Sequence, residues 1–453
     1  MFFKKRFTHD FRHTAINQLW RLISGPAILI LIPVYLSAVA QGYWFTFISL
    51  SALAVFADLG FTTIILQFSA HEFAHLHFNE HKQLAGQQAH LHRISSLFRF
   101  ALGWSLKISL LVFPVILIAG YIVLSQKHAD VVWLTPWLVY GTASALAFVN
   151  NIVLSFMEGC DSVGDAQKIR FHVGVVNVVL MMFGLIAGFK LFALAIALLG
   201  SASAGSFLII KKYRVVLRQL HSVAIEDCRD WKGDILPLLA KYAVSWASGY
   251  FIFSIFTPLA FHYYGPIAAG KVGLSIALWT AVFGISNVWM TVIMPKMNML
   301  IAKGDYASLN PIFYRHLKLA VATFILGMVT AFSIYFILNG RYAIVNRFLS
   351  PMSLLVIALC WLMQVIISGL AAYMRAHKEE PLVMPSFASG IYISLTTWLI
   401  AMYLPFEYFF AGFLSSFLWG LPWTLMIFQK YKARMSDETS LVHESARSNI
   451  EIK

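Results

Sequence analysis

Two groups of residues have the types and spacing to do chemistry. The first is His71-Glu72-Phe73-Ala74-His75, which on a helix sets two imidazoles one turn apart with a carboxylate between them. Zinc metalloproteases hold a metal and a general base in this pattern. A catalytic zinc also needs a third protein ligand. Glu80 and His81 are within reach in sequence, but no downstream metalloprotease pattern follows. With His77, His90 and His92 nearby, the segment reads more simply as a histidine-rich stretch beside the headgroups. No metal site and no cofactor is expected, and a membrane zinc protease is a distant alternative.

The second group is a set of charges inside long apolar runs: Arg21, Lys107, Lys241 and Lys271, with Asp58 as the one acid well inside a run. An ionisable side chain at bilayer depth costs about 2.5 kcal/mol or more, so it tends to face protein or a wet cavity. Lys107, about ten residues into its run, has the farthest to stretch to water. Arg21, Lys241 and Lys271 lie nearer the ends of theirs, where reaching out to the headgroups is the default. Four cations against one acid predict a net-positive interior that selects an anionic passenger, whereas drugs or metal cations call for acids. Asp58 could carry a coupling proton, pair with a cation, or make a helix-end contact beside Gly60. Asn150, Asn151 and Asn287 could contact sugar hydroxyls or join helices to one another.

The elements that position these residues follow from composition. Of 453 residues, 59% are hydrophobic and 12% charged, with mean hydropathy +0.74, which makes lipid the solvent. Runs of about 20 apolar residues are expected near 15–38, 44–67, 98–124, 133–157, 171–189, 191–211, 236–260, 267–293, 314–338, 350–373, 384–404 and 408–429. Backbone polar groups have no water partner in hydrocarbon, so such runs must be helices. The fold class is therefore all-α integral membrane, with about 12 helices in two six-helix lobes around a central cavity. The lobes are 1–211 and 236–429, joined by the polar connection 212–235 and followed by a disordered tail, 430–453. Ser24-Gly25, Pro33 and Gly42 resemble Ser248-Gly249, Pro258 and Gly265, as an internal repeat would require. The connections 68–97 and 212–235 are sized for amphipathic helices lying on the bilayer.

Most of the 34 Lys and Arg residues fall in the two termini and alternate connections, while the opposite side holds only Lys127, Lys190, Arg341 and Arg347. Both termini are thus expected in the cytoplasm. The formal net charge of +14 follows topology, with no call for nucleic acid. Three scattered cysteines, Cys160, Cys228 and Cys360, give no disulfide framework. No exterior loop is large enough for a catalytic domain, so the chain is expected to transport rather than catalyse.

The stretches LWRLISGPAILILIPVYLS, QGYW, FADLGF and QFSAHEFAHL, then PLAFHYYGPIAAGKVGLSIALW in the second half, resemble the bacterial O-antigen and polysaccharide flippases. These belong to a superfamily that also contains multidrug exporters and the lipid II flippase. The resemblance implies a bacterial inner-membrane bundle that alternates between inward-open and outward-open shapes. Its implied passenger is an oligosaccharide linked through pyrophosphate to a polyprenyl lipid, with other polysaccharide assembly proteins as further partners. The family's cationic lumen maps onto Arg21, Lys107, Lys241 and Lys271, although at Lys271 many relatives carry a neutral polar residue. A multidrug or other ion-coupled exporter of the same fold is the alternative, and it calls for an acidic coupling site.

Overall fold

In a computed structural model, backbone is described for residues 2–127, 130–223, 230–302, 304–377 and 380–451, and side chains for the same residues except 2–11, 21, 241, 302 and 435–451. The helices in chain order are α1 (Phe2–Tyr35), α2 (Ala38–Ser51), α3 (Val55–Asp58), α4 (Phe61–Phe73), α5 (Gln88–Ser125), α6 (Leu134–Gly159), α7 (Val163–Ile186) and α8 (Leu191–Ser222). They continue as α9 (Trp231–Phe253), α10 (Phe256–Tyr264), α11 (Pro266–Ala302), α12 (Tyr306–Leu338), α13 (Pro351–Ala376), α14 (Val383–Tyr403) and α15 (Ala411–Glu451). Among the described residues, 11 helices are long and apolar enough to cross a membrane, or 12 if α9, bent by 42° at Lys241, counts as one span. The expected all-α, multi-pass architecture is therefore present.

Outward faces are apolar, the reverse of a soluble protein. Leu110, Leu111 and Val115 on α5, and Leu326 and Val329 on α12, are exposed, as lipid-facing side chains are. Inside, aromatic rings fill the gaps between helices. On α2 and α6, Phe47 lies 5.1 Å from Trp137, whose indole Nε1 donates to the Leu117 carbonyl of α5 at 3.0 Å.

Helix breaks are where the sequence-based spans need correction. The run expected as one helix over 44–67 is interrupted at Leu59 and Gly60, both with positive φ (44° and 88°). Nor does the connection 68–97 form surface helices. It holds the end of α4, a two-stranded hairpin and the first turns of α5. In the hairpin, β1 (Leu76–Phe78) pairs antiparallel with β2 (Leu84–Gly86), so that His77 faces Ala85. Asn79 closes its turn by accepting from Gln83 N at 2.8 Å. The side-chain amide of Gln219 on α8 bonds both backbone groups of Leu84, each at 2.8 Å, and so acts as a third strand. The connection 212–235 is likewise mostly helix, as α8 runs to Ser222 and α9 begins at Trp231; residues 224–229, including Cys228, lie outside the described residues. The tail from 430, expected to be disordered, continues α15 as far as Glu451. No Gly or Pro follows Pro422 to stop that helix.

By packing, the chain divides into Met1–Gly273 and Leu274–Lys453, a boundary inside α11 rather than in the 212–235 connection. In the first unit the opening turns of α11 lie on α2. Gln41 Nε2 donates to the Gly270 carbonyl at 2.8 Å, and a methyl added at Gly42 would fall 1.9 Å from the Pro266 carbonyl oxygen. Gly42 thus serves a close approach within a helix, whereas Gly265 has φ 90° and links α10 to α11. The two positions paired in the proposed repeat do different work. In the second unit the core is built on Phe313, Tyr373 and Phe428, with Met290 and Met297 of α11 beside them.

Candidate functional site

Asp58 sits at the end of α3, where the chain turns through Leu59 and Gly60 into α4. Its carboxylate accepts from Gly60 N (3.2 Å), Thr62 N (3.1 Å) and Thr62 Oγ1 (3.0 Å). These bonds satisfy donors at the start of α4 that no helical carbonyl can reach. Of the three roles open to Asp58, the helix-end contact is the one this geometry serves. Asp58→Ala should lower thermal stability by about 1 kcal/mol, with Asp58→Asn close to wild type, and neither should stop transport.

Glu72 and the histidines around it do not form a zinc centre. The Glu72 side chain is 2% exposed and pairs with His90 Nδ1 of α5 at 2.7 Å, while His71 points out to solvent. The His90 ring stacks on that of His75 at 4.0 Å between centroids. Glu72 thus pins α4 to α5, and no group of three His, Cys, Asp or Glu side chains among the described residues could hold a metal.

Of the four cations expected to line a cavity, two have described side chains. The Arg21 and Lys241 side chains lie outside the described residues. Lys107 is exposed and has no carboxylate partner among the described residues, but it shares its face of α5 with Leu110, Leu111 and Val115. Its depth follows from Arg99, eight residues earlier, which donates to the carbonyls of Leu220 (3.2 Å), His221 (2.5 Å) and Val223 at the end of α8. Eight residues are about 12 Å of helix, so Lys107 stands level with Lys211 and Lys212 on antiparallel α8. A lysine there can extend along an apolar surface. Lys271 is half-buried on α11 beside Gly270, also without a carboxylate partner among the described residues.

Of the three asparagines open to sugar contacts or to helix–helix contacts, Asn150 and Asn151 bond protein groups. Asn150 Nδ2 donates to the Ala202 carbonyl at 2.8 Å and its Oδ1 accepts from Ser206 Oγ at 2.9 Å, which ties α6 to α8. Asn151 Oδ1 accepts from Arg170 Nη2 at 3.2 Å. Asn287 is half-buried in α11 of the second unit, far in sequence from the other two.

Arg170 belongs to a network that sequence reasoning missed. Its Nη1 pairs with Glu158, whose side chain is 8% exposed, and its Nη2 reaches Ser155 Oγ at 3.3 Å. Gln167 Nε2 donates to the same Glu158 oxygen at 2.8 Å, and Asn17 Nδ2 of α1 donates to Gln167 Oε1 at 2.8 Å. Trp20, one turn on from Asn17, meets Phe171 edge to face at 6.0 Å. Three helices, α1, α6 and α7, thus converge on one partly buried carboxylate–guanidinium pair. Glu158 falls just past the apolar run 133–157 and Arg170 just before 171–189, so both read as connection residues. The available signal was a short α6–α7 connection flanked by opposite charges. Helical side chains lean toward their own N-terminus, which aims Arg170 back toward that connection and Glu158. A second pair, Lys212 with Asp165 at 2.7 Å, joins α8 to the first turn of α7.

The sequence matches no family profile and no curated protein. Solved structures do share the fold. An inward-facing multidrug resistance MATE family transporter of the MOP superfamily aligns at 14% identity over 92% of this chain and 96% of that chain, with TM-score 0.61. A variant of the Vibrio cholerae MATE transporter VcmN aligns at 13% identity over 94% and 96%, with TM-score 0.57. A MOP superfamily transporter from Pyrococcus furiosus Vc1 (DSM3638), described as having a binding pocket of reversed polarity, aligns at 14% identity over 95% and 96%, with TM-score 0.53. The expected fold is therefore present, and none of these three neighbours is described as a polysaccharide flippase; the chain has the all-α fold of the MATE transporters over nearly its whole length.

Proposed function

We propose that this chain is an exporter of the MATE fold that moves its passenger by alternating access and couples that movement to an ion through Glu158. The observation that carries the reading is the partly buried Glu158–Arg170 pair at the junction of α1, α6 and α7. Asp58 is engaged as a helix cap, which leaves Glu158 as the carboxylate placed to exchange a partner for a proton or cation. A carboxylate held by a guanidinium where three helices meet can exchange that partner for a proton or cation as the helices move. The excess of basic residues in the termini and alternate connections supports a reading with both termini in the cytoplasm. Transport by a bundle of this fold requires no catalytic centre.

A second reading, a flippase for an anionic polyprenyl-pyrophosphate-linked oligosaccharide, is favoured by one observation: Lys271 is half-buried with no carboxylate partner among the described residues. A fixed cation can replace the water and counterions of a pyrophosphate whose lipid tail stays in the bilayer. Proteoliposomes separate the two readings. Ion-coupled export predicts efflux of a lipophilic cationic dye driven by an imposed proton or sodium gradient and abolished by Glu158→Gln. The flippase reading predicts gradient-independent exposure of a lipid-linked oligosaccharide that is lost in Lys271→Ala and retained in Glu158→Gln. If neither passenger moves in protein that remains folded, both readings fail.

A further inference from the structure

One oxygen of Glu158, Oε1, takes two donors: Arg170 Nη1, and Gln167 Nε2 at 2.8 Å. Gln167 in turn accepts at its own Oε1 from Asn17 Nδ2 of α1, also at 2.8 Å. Chemistry fixes the direction of both bonds. An ionised carboxylate only accepts, so Gln167 must turn its N–H toward Glu158. That leaves the Gln167 oxygen for Asn17, which must therefore present N–H. A single amide on α1 thus determines which end of the Gln167 side chain faces the carboxylate.

Packing keeps these groups in register. Asn17 is 4% exposed, so water is a poor substitute for it at Gln167. One turn on, Trp20 meets Phe171 edge to face and lies 3.4 Å from where a methyl at Gly174 would stand, which seats α1 against α7. Other titratable groups surround the chain of amides without joining it. Asp165 pairs with Lys212 of α8 at 2.7 Å, and Glu72 of α4 pairs with His90. Tyr213 of α8 is buried near Glu158 and Asp165. His13 is half-buried one turn before Asn17, whereas Arg12, Asp161, Lys168, His172, Lys211 and Arg214 are exposed.

We infer that Asn17 and Gln167 are positioning residues that set how tightly Glu158 takes up the coupling ion, an inference that rests on the reading of Glu158 as the coupling carboxylate. A donor aimed at a carboxylate favours the bare anion, and so competes with an incoming proton or cation. With the Gln167 amide reversed, an oxygen would face the carboxylate and draw the cation in. Hydrogen bonds to charged groups are strong enough to change such an equilibrium by about tenfold. Asn17 touches neither the ion nor Glu158 and acts only through Gln167.

The test measures ethidium efflux from proteoliposomes holding the full-length protein, with the driving ion, proton or sodium, titrated. Its readout is the ion concentration that gives half-maximal efflux, which a merely structural role leaves unchanged while lowering the maximal rate. Gln167→Leu should lower that concentration about tenfold. Asn17→Asp, whose carboxylate attracts the N–H end of Gln167, should lower it at least as far, and Asn17→Leu, which only frees the amide, about threefold. In the Gln167→Leu background neither Asn17 substitution should add anything, because the residue that carries its effect is gone. Melting curves identify the variants that fold, and Gln167→Leu or either Asn17 variant alone suffices. Wild-type half-maximal concentrations in the folded variants, or Asn17 effects that persist without Gln167, would overturn the inference while leaving Glu158 as the coupling group. Efflux that ignores both gradients, or survives Glu158→Gln with its ion dependence intact, would overturn the coupling reading and this inference with it.

Discussion

Arg170→Ala should destabilise the protein by about 2–3 kcal/mol, because it leaves a largely covered carboxylate without its guanidinium. Glu158 is 8% exposed and Arg170 25%, so water can take the place of the guanidinium only in part. Gln167 alone would remain to donate to the same oxygen. Glu158→Gln should cost much less, since Arg170 keeps Asn151 and Ser155 as acceptors and is itself 25% exposed. Replacing both partners together, as in Glu158→Leu with Arg170→Met, should restore the melting temperature to the wild-type value or above it, as apolar replacement of buried ion pairs commonly does. Melting of the four proteins in one detergent measures this directly. Were the pair only a structural clamp, the double variant would also recover transport. Under the coupling proposal it melts normally and carries nothing against a gradient. Stability and activity therefore separate in one protein that lacks both charges.

The same pair shows what a sequence can reveal about a membrane transporter and what it hides. Spans were legible because hydropathy is enforced residue by residue: backbone in lipid has to be helical, and helical runs there have to be apolar. The helix end at Asp58 was legible in part, since an acid two residues before a glycine is the pattern of a turn capped by its own side chain, and Gly60 does adopt φ 88°. Depth was much less legible. Lys107 looked deep when counted from the start of an apolar run near 98, but α5 begins at Gln88 and is 38 residues long. At 1.5 Å per residue that is roughly 57 Å, nearly twice the hydrocarbon thickness. Glu158 and Arg170 were hidden for the converse reason, because apolar windows end at charges and so assign charges to loops. Only the packing of α1 against α7 and α6 turns those apparent loop residues into an interior pair.

Gly42→Ala, a change of one methyl, should prevent the first unit from packing correctly, whereas Gly249→Ala in α9 should leave it intact. Both glycines lie inside apolar helices, where exchanging Gly for Ala would by itself add up to about 1 kcal/mol of helix stability. Space decides the outcome instead. At Gly249 nothing lies within 4 Å of the added methyl, while at Gly42 it would fall 1.9 Å from the Pro266 carbonyl oxygen and 2.5 Å from its carbon. These are backbone atoms, so no rotamer change relieves the clash, and α2 and α11 must separate. Separation would also break the buried bond from Gln41 Nε2 to the Gly270 carbonyl and open the contact between Gly273 and Phe45. Overpacking usually costs about 1–3 kcal/mol when side chains can adjust, and a backbone-to-backbone clash belongs at or beyond the top of that range. Size-exclusion profiles and melting curves of the two variants provide the measurement. Gly249→Ala should run as a single sharp peak and melt at or slightly above the wild type, and Gly42→Ala should aggregate or melt many degrees lower. Equal behaviour of the pair would mean that α2 and α11 do not meet at Gly42 as described.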